Sequence, residues 1–215
     1  MMRALMTKTL FVLSILLSAQ ALAFDVGGFS YSILNGTDVE VTGRASGNTD
    51  TDIVIPATAS DGTTTYSVTT IGDGAFFNNA LTSVIIPDSV TTIGIYDFQN
   101  NALASVIIPN SVTTIGEGTF AINALTSVVI GNSVTTIGGY AFANNALTSV
   151  VIPDSVTTIG DYTFYNTPIN NVLTRDSITN SVTSTFDDAY VPHVLHTHTI
   201  PSILTSTCTV DAYTT

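Results

Sequence analysis

Leu81 to Thr92 reads LTSVIIPDSVTT, and this stretch returns along the chain at a step of 22 residues. Ile71, Ile93, Ile115, Ile137 and Ile159 form one column of the repeat. Phe76, Phe98, Phe120, Phe142 and Phe164 form a second, and Leu81, Leu103, Leu125 and Leu147 a third. A fixed period of this length is the signature of a solenoid, in which each copy is one structural unit stacked on the next.

Inside one copy, Leu81, Val84 and Ile86 follow L-x-x-V-x-I spacing. The two-residue alternation of a strand places Val84 and Ile86 on one face and Ile85 on the other. Pro87-Asp88 ends the strand, as Pro109-Asn110 and Gly131-Asn132 do in the next copies. Val90 and Ile93 supply a second inward pair, Gly94 turns the chain, Phe98 fills the core, and Asn100-Asn101 leads to Leu103. About six apolar side chains per coil do not offset the entropy of ordering a whole copy, so one copy cannot fold alone. Stacking covers the open face of each coil with its neighbour.

In-register stacking turns repeated residues into ladders. The Asn column at 79, 101, 123 and 145 is expected to satisfy turn backbone groups and its own neighbouring amides. The Thr pairs at 91-92, 113-114, 135-136 and 157-158 invite comparison with the threonine arrays of ice-binding solenoids. Adjacent strand residues point to opposite faces, however, so a regular outward grid is not expected.

The outer face of the L-x-x-V-x-I strands carries the main candidate site. If Val84 and Ile86 point inward, then Ile85, Ile107, Val129, Val151, Leu173 and Leu195 form an outward aliphatic stripe, with Val54 ahead of them. Ser83, Ser105, Ser127 and Ser149 run beside it. A contiguous exposed apolar patch marks a contact surface. The same side chains would also support one another as a simple β ladder, and the area of the patch decides between the two.

Composition narrows the partners. The chain has 16 Asp and Glu against 4 Lys and Arg, and only 9% of residues are charged. Such an acidic surface repels phosphate backbones and anionic lipid, so neither nucleic acid nor a membrane surface is an expected partner. Arg3 and Lys8 precede an apolar run from Leu10 to Leu17 and then Ala21-Leu22-Ala23, the three parts of a secretory leader. Met6 is an alternative start, and either start predicts export. The run is too short for a membrane span, and no membrane insertion is expected. Cleavage after Ala23 leaves Arg44 and Arg175 as the basic residues. Cys208 is the single cysteine, so no internal disulfide staples the fold.

The repeated VTTIG, the Phe of AF or TF, and LTSVxIP(D/N)SV resemble the bacterial surface leucine-rich repeats of the BspA type over residues 68 to 174. GGFSYSILNGTDVEVTG followed by DIVIPATASDGTTTYSVTTIG resembles the entry segment common in that family. The chain departs from the family where Asn79 stands in place of a frequent Cys and Ile85 in place of a frequent Thr. The resemblance implies adhesion or surface interaction and brings no catalytic residues. Read from the residues, Tyr31 to Leu34 and Asp38 to Val41 flank Asn35-Gly36, a two-residue hairpin signal, and this hairpin is expected to cap the first coil.

Past Asn171 the repeat decays. Projected forward at the same step, eight of ten inward positions remain apolar, which predicts about two degraded coils closing the solenoid. A competing alignment sets residues 181 to 190 over SVTTIGGYAF with a four-residue insertion and moves the register after Ser177. His193, His196 and His198 lie within six residues, but the projection puts them on the outer face, an inward position and a turn, so no metal site is expected. Asp50-Thr51-Asp52 and Asp187-Asp188 lack a calcium-loop spacing. Cys208 falls in the Phe column and reads as a small core residue.

The sequence therefore predicts a β-rich solenoid: a right-handed leucine-rich-repeat coil with one parallel sheet, short second strands and an N-terminal β-hairpin cap. Its expected parts are a leader at 1–23, an entry cap at 24–67, repeats at 68–174 and degenerate repeats at 175–215. The expected function is a secreted or cell-surface, non-enzymatic binding protein that presents the sheet face to an extracellular protein or glycan, with no cofactor. Self-association through the stripe into a structural surface protein is the alternative. A metal-dependent enzyme built on the tail histidines is the remaining one, testable by metal occupancy.

Overall fold

The computed structural model describes residues 22–174 and the strand 193–196. The expected leader up to residue 21, and most of the expected closing coils including His198 and Cys208, lie outside the described residues. All regular structure among the described residues is β.

Strands β1 (Ala23–Val26), β2 (Phe29–Ile33) and β3 (Asp38–Arg44) form an antiparallel entry meander. Gly27 and Gly28, both at positive φ, make the tight β1–β2 turn. The Asn35-Gly36 hairpin is present, but its turn differs from the two-residue form expected. Leu34–Thr37 make a longer loop, and neither Asn35 nor Gly36 adopts the positive φ a type I′ turn requires. The Asn35 side chain closes the loop instead, its Oδ1 accepting from the Thr37 and Asp38 N–H groups at 2.8 and 2.9 Å.

β3 then pairs in parallel with β6 (Thr65–Ile71), Val41 opposite Ile71, and this strand leads directly into the repeats. β5 (Thr58–Ser60) folds back antiparallel on β6. Beyond β6 the short second strands stack in register as β8 (Thr92–Ile93), β10 (Thr114–Ile115), β12 (Thr136–Ile137) and β14 (Thr158–Ile159). The second strands are thus a continuous parallel ladder in their own right, joined to the entry meander.

The L-x-x-V-x-I strands stack on the other side as β4 (Asp52–Val54), β7 (Ser83–Ile85), β9 (Ser105–Ile107), β11 (Ser127–Val129), β13 (Ser149–Val151) and β15 (Asn171–Thr174). Where one parallel sheet was expected they hydrogen-bond in three parallel segments, β4 with β7, β9 with β11 and β13 with β15. The backbone of β16 (His193–His196) pairs with β15, Leu173 opposite Leu195, which keeps the 22-residue step and not the register shifted by an insertion.

Between the ladders lies the core. Leu81, Val84, Ile86, Val90, Ile93 and Phe98 are all buried, as are their counterparts in the later coils apart from the part-buried Val128. The Phe column is a stack: successive rings from Phe76 to Phe164 lie 5.3–5.6 Å apart and within 9° of parallel. Phe29 of the entry meander meets Phe76 edge-on at 6.1 Å, so the cap closes the stack with an aromatic contact. Gly116 serves close packing, because a Cβ there would lie 2.3 Å from the Gly94 carbonyl oxygen of the coil before.

Two side-chain expectations change. Val90 and Ile93 are buried while both Thr91 and Thr92 are exposed, since only Thr92 and Ile93 have strand geometry and the alternation does not reach Thr91. The first threonine of three of the four pairs is tied down: the Thr91, Thr135 and Thr157 hydroxyls donate to backbone carbonyls of the preceding coil. The Asn column bonds backbone and not its own amides. Asn101 Nδ2 donates to the Phe76 and Phe98 carbonyls at 2.9 and 3.0 Å, and its Oδ1 accepts from the Asn79 and Leu81 N–H groups. The amide–amide bonds fall one residue earlier, between Asn78 and Asn100 and between Asn144 and Asn166.

Candidate functional site

The L-x-x-V-x-I strands position the candidate surface. From β4 to β13 each is three residues long with its middle residue in the core, Val128 of β11 being part-buried, so the flanking residues face out by strand alternation. Register then aligns them across coils: Val54 opposite Ile85, Ile107 opposite Val129, and Val151 opposite Leu173. Val54, Ile85, Ile107, Val129 and Val151 are 53–67% exposed, while Leu173 is half-buried. The Leu195 backbone continues the column, and its side chain lies outside the described residues. Ser83, Ser105, Ser127 and Ser149 are exposed beside the stripe, as their spacing requires.

The sequence reading missed the residue that opens the serine row. Asp52 pairs opposite Ser83, and its carboxylate accepts from the Thr82 and Ser83 hydroxyls at 2.7 and 2.8 Å. Those two bonds, Thr82 first, hold the Asp52 carboxyl below the usual carboxylate range. On the other side of the stripe, the turns that end the strands present a row of exposed Asp88, Asn110, Asn132 and Asp154. The Asn132 N–H donates to Asn110 Oδ1 at 2.8 Å, so this rim is itself ordered by the repeat. The site is an aliphatic ridge with hydroxyls on one side and amides and carboxylates on the other.

A second outward column, also unread in the sequence, runs through Gly74, Tyr96, Gly118, Tyr140 and Tyr162, all at positive φ. Tyr140 stacks on Tyr162 at 5.2 Å, and the Tyr96 hydroxyl donates to Glu117 Oε1 at 2.9 Å. Behind it lies an inward column with one ionisable member. Asp97 is completely buried, and neither carboxylate oxygen has a hydrogen-bond partner. The nearby Gly94, Gly74 and Ala75 N–H groups are committed to the Ile71, Ile95 and Gly72 carbonyls. Burial first, then the neighbouring Asp73 charge, pushes the Asp97 carboxyl up to about 8.

Among the described residues, no group of three or more His, Cys, Asp or Glu side chains is placed to hold a metal ion. The side chains of His193, His196 and His198 lie outside the described residues. Asp50 and Asp52 do not share a ligand: the first lends its backbone carbonyl to Arg44, the second its carboxylate to hydroxyls.

Solved structures with this architecture exist. A leucine-rich repeat protein from Bacteroides ovatus is 25% identical, with a TM-score of 0.66 over 80% of this chain and 52% of its own. A leucine rich cell surface protein from Faecalibacterium prausnitzii is 28% identical over 71% of this chain and 54% of its own, with a TM-score of 0.41. The pneumococcal vaccine antigen PcpA is 18% identical over 73% of this chain and 51% of its own, with a TM-score of 0.58. The chain spans about half the length of these structures. No curated protein matches it significantly. The family model for the BspA type leucine rich repeat region matches residues 63–206 in six copies. Six matching copies over more than half of the sequence, on a stacked β fold with the same register, make this chain a member of the BspA type leucine-rich repeat family.

Proposed function

We propose that this protein is a secreted or cell-surface, non-enzymatic binding protein that engages an extracellular protein or glycan through the outer face of its L-x-x-V-x-I ladder. One observation carries the reading: five aliphatic side chains from successive coils, Val54, Ile85, Ile107, Val129 and Val151, stand in one exposed column. A contiguous row of exposed aliphatic side chains on stacked strands supports a contact surface. Family membership supports a role in protein contact, and the leader-like residues 1–23 support export.

The test is capture from extracellular-matrix and cell-surface extracts, comparing the wild-type chain with an Ile107→Asp/Val129→Asp variant of matching circular dichroism. Partners held by wild type and released by the variant support the reading. Identical partner sets, or none, sink it. Self-association is the competing result, and it would appear as sedimentation that rises with protein concentration and reverts in Val129→Asp.

A further inference from the structure

The binding-face reading leaves the chemistry of the partner open, and the surroundings of the stripe narrow it. At about 25 cal/mol per Å², the roughly 1.5–3 kcal/mol gained by burying one such side chain corresponds to about 60–120 Å². A row of five side chains, each little more than half exposed, therefore offers roughly 200–400 Å², well under the roughly 800 Å² per partner of a standard stable interface. Apolar contact alone is too small here to hold a second copy of the chain.

Charge points the same way. Between residues 22 and 174, Arg44 is the only Lys or Arg, against twelve Asp and Glu. Arg44 already donates through Nη2 to the Asp50 carbonyl. The stripe has carboxylates on both sides, Asp52 in the serine row and Asp88 and Asp154 on the turn rim. Two copies brought face to face would oppose these carboxylates with Arg44 as the only Lys or Arg among the described residues to answer them, which costs association energy and slows encounter. A partner of opposite sign gains on both counts.

We propose, building on that reading, that the ladder face takes a cationic polypeptide: an extended segment with lysine or arginine between aliphatic residues. The dimensions suit one. From Val54 to Leu173 the column covers five coil steps, about 24 Å, and Asp88 to Asp154 covers three, about 14 Å. A segment of about seven extended residues spans the whole column, with one face on the ridge and its charges reaching the rims.

The experiment titrates the full chain with three synthetic peptides of about eight residues, alternating Lys–Val, Lys–Ser and Glu–Val. Lys–Val is expected to bind at least about ten-fold more tightly than either other peptide, and to weaken about ten-fold from low salt to 0.5 M salt. Asp52→Asn/Asp88→Asn/Asp154→Asn and Ile107→Ser/Val129→Ser are each expected to lose about ten-fold, the first removing charge and the second the ridge. The peptide and salt comparisons use wild type alone and stand even if a variant fails to fold.

Equal binding of Lys–Ser and Lys–Val overturns the proposal, because charge anywhere on the surface then explains it. So does undiminished binding by the Asp→Asn variant, or no Lys–Val binding at all. If the capture experiment yields an acidic or neutral partner that the stripe variant releases, the binding face stands and only the cationic partner falls. If the stripe variant keeps every partner, the binding face itself falls.

Discussion

Asp97 precedes Thr119 by one coil in the same inward column, and the two side chains differ in what they can give to the backbone. The Thr119 hydroxyl donates to the Gly94 and Gly116 carbonyls at 2.8 and 2.9 Å, and Thr163 repeats this with Gly138 and Gly160. The equivalent carbonyls around Asp97 are those of Gly72 and Gly94. A neutral carboxyl can donate to them, whereas an ionised one presents lone pairs to lone pairs.

The pH dependence follows from that difference. Asp97 rises from 3.8 to about 8 in the folded protein, so the native state holds a proton that the unfolded chain releases. Its stabilising contribution is full below pH 3.8 and is lost as pH rises through about 8. Within this window stability should fall by up to about 1.4 kcal/mol per pH unit. Urea unfolding of wild type and Asp97→Thr between pH 5 and 9 checks this. The variant should flatten the slope and gain most at the alkaline end, and parallel profiles would contradict the assignment.

Asn101 should be among the costliest polar residues to remove. Its amide satisfies two carbonyls and two N–H groups drawn from two coils, and Asn123 and Asn145 repeat much of the pattern. Asn101→Ala leaves those groups unpaired at about 1–3 kcal/mol for each buried one, so a loss of about 2–4 kcal/mol is expected in denaturant unfolding. Asn101→Thr should cost less, because Thr167 keeps the donor half of the arrangement, its hydroxyl reaching the Phe142 carbonyl at 3.2 Å.

Ile122 offers a gain. It stands at φ 55 in a column where Asn78, Asn100, Asn144 and Asn166 share that conformation. A β-branched residue is strained there, and Asn tolerates it. Ile122 also interrupts the amide row between Asn100 and Asn144. Ile122→Asn should stabilise by about 1 kcal/mol and raise Tm, and a lower Tm would show that the exposed isoleucine packs usefully.

The cap is testable through Phe29, which closes the Phe stack against Phe76. Phe29→Ala should cost about 3–5 kcal/mol. Because the entry meander joins the ladder of second strands, the loss should appear first as faster amide exchange in β1 to β3 and β6. Uniform acceleration through β14 would mean that the cap and the repeats unfold as one unit.

Legibility tracked repetition. Five copies of one step make the Phe stack, the inward Val and Ile pairs and the outward column of Ile85, Ile107, Val129 and Val151 legible in the sequence. Where the step changes, reading failed. Asp52 sits 31 residues before Ser83, the first coil being lengthened by the β5 fold-back, so it was not placed in the serine row. The alternation expected of the Thr pairs fails because a two-residue strand does not extend it to the preceding threonine. Asp97 was hidden by its column, which holds Ala75, Thr119, Ala141 and Thr163 in the other coils, so nothing in the pattern marks it as buried.

The most direct measurement of the central claim is hydroxyl-radical footprinting of the chain alone and with a captured partner, reading oxidation at single side chains. The account predicts that Ile85, Ile107, Val129 and Val151 lose labelling on binding while Tyr140 and Tyr162 keep theirs. Protection of the tyrosine column with an unchanged stripe would contradict it and move the contact surface to the turns that carry Tyr140 and Tyr162.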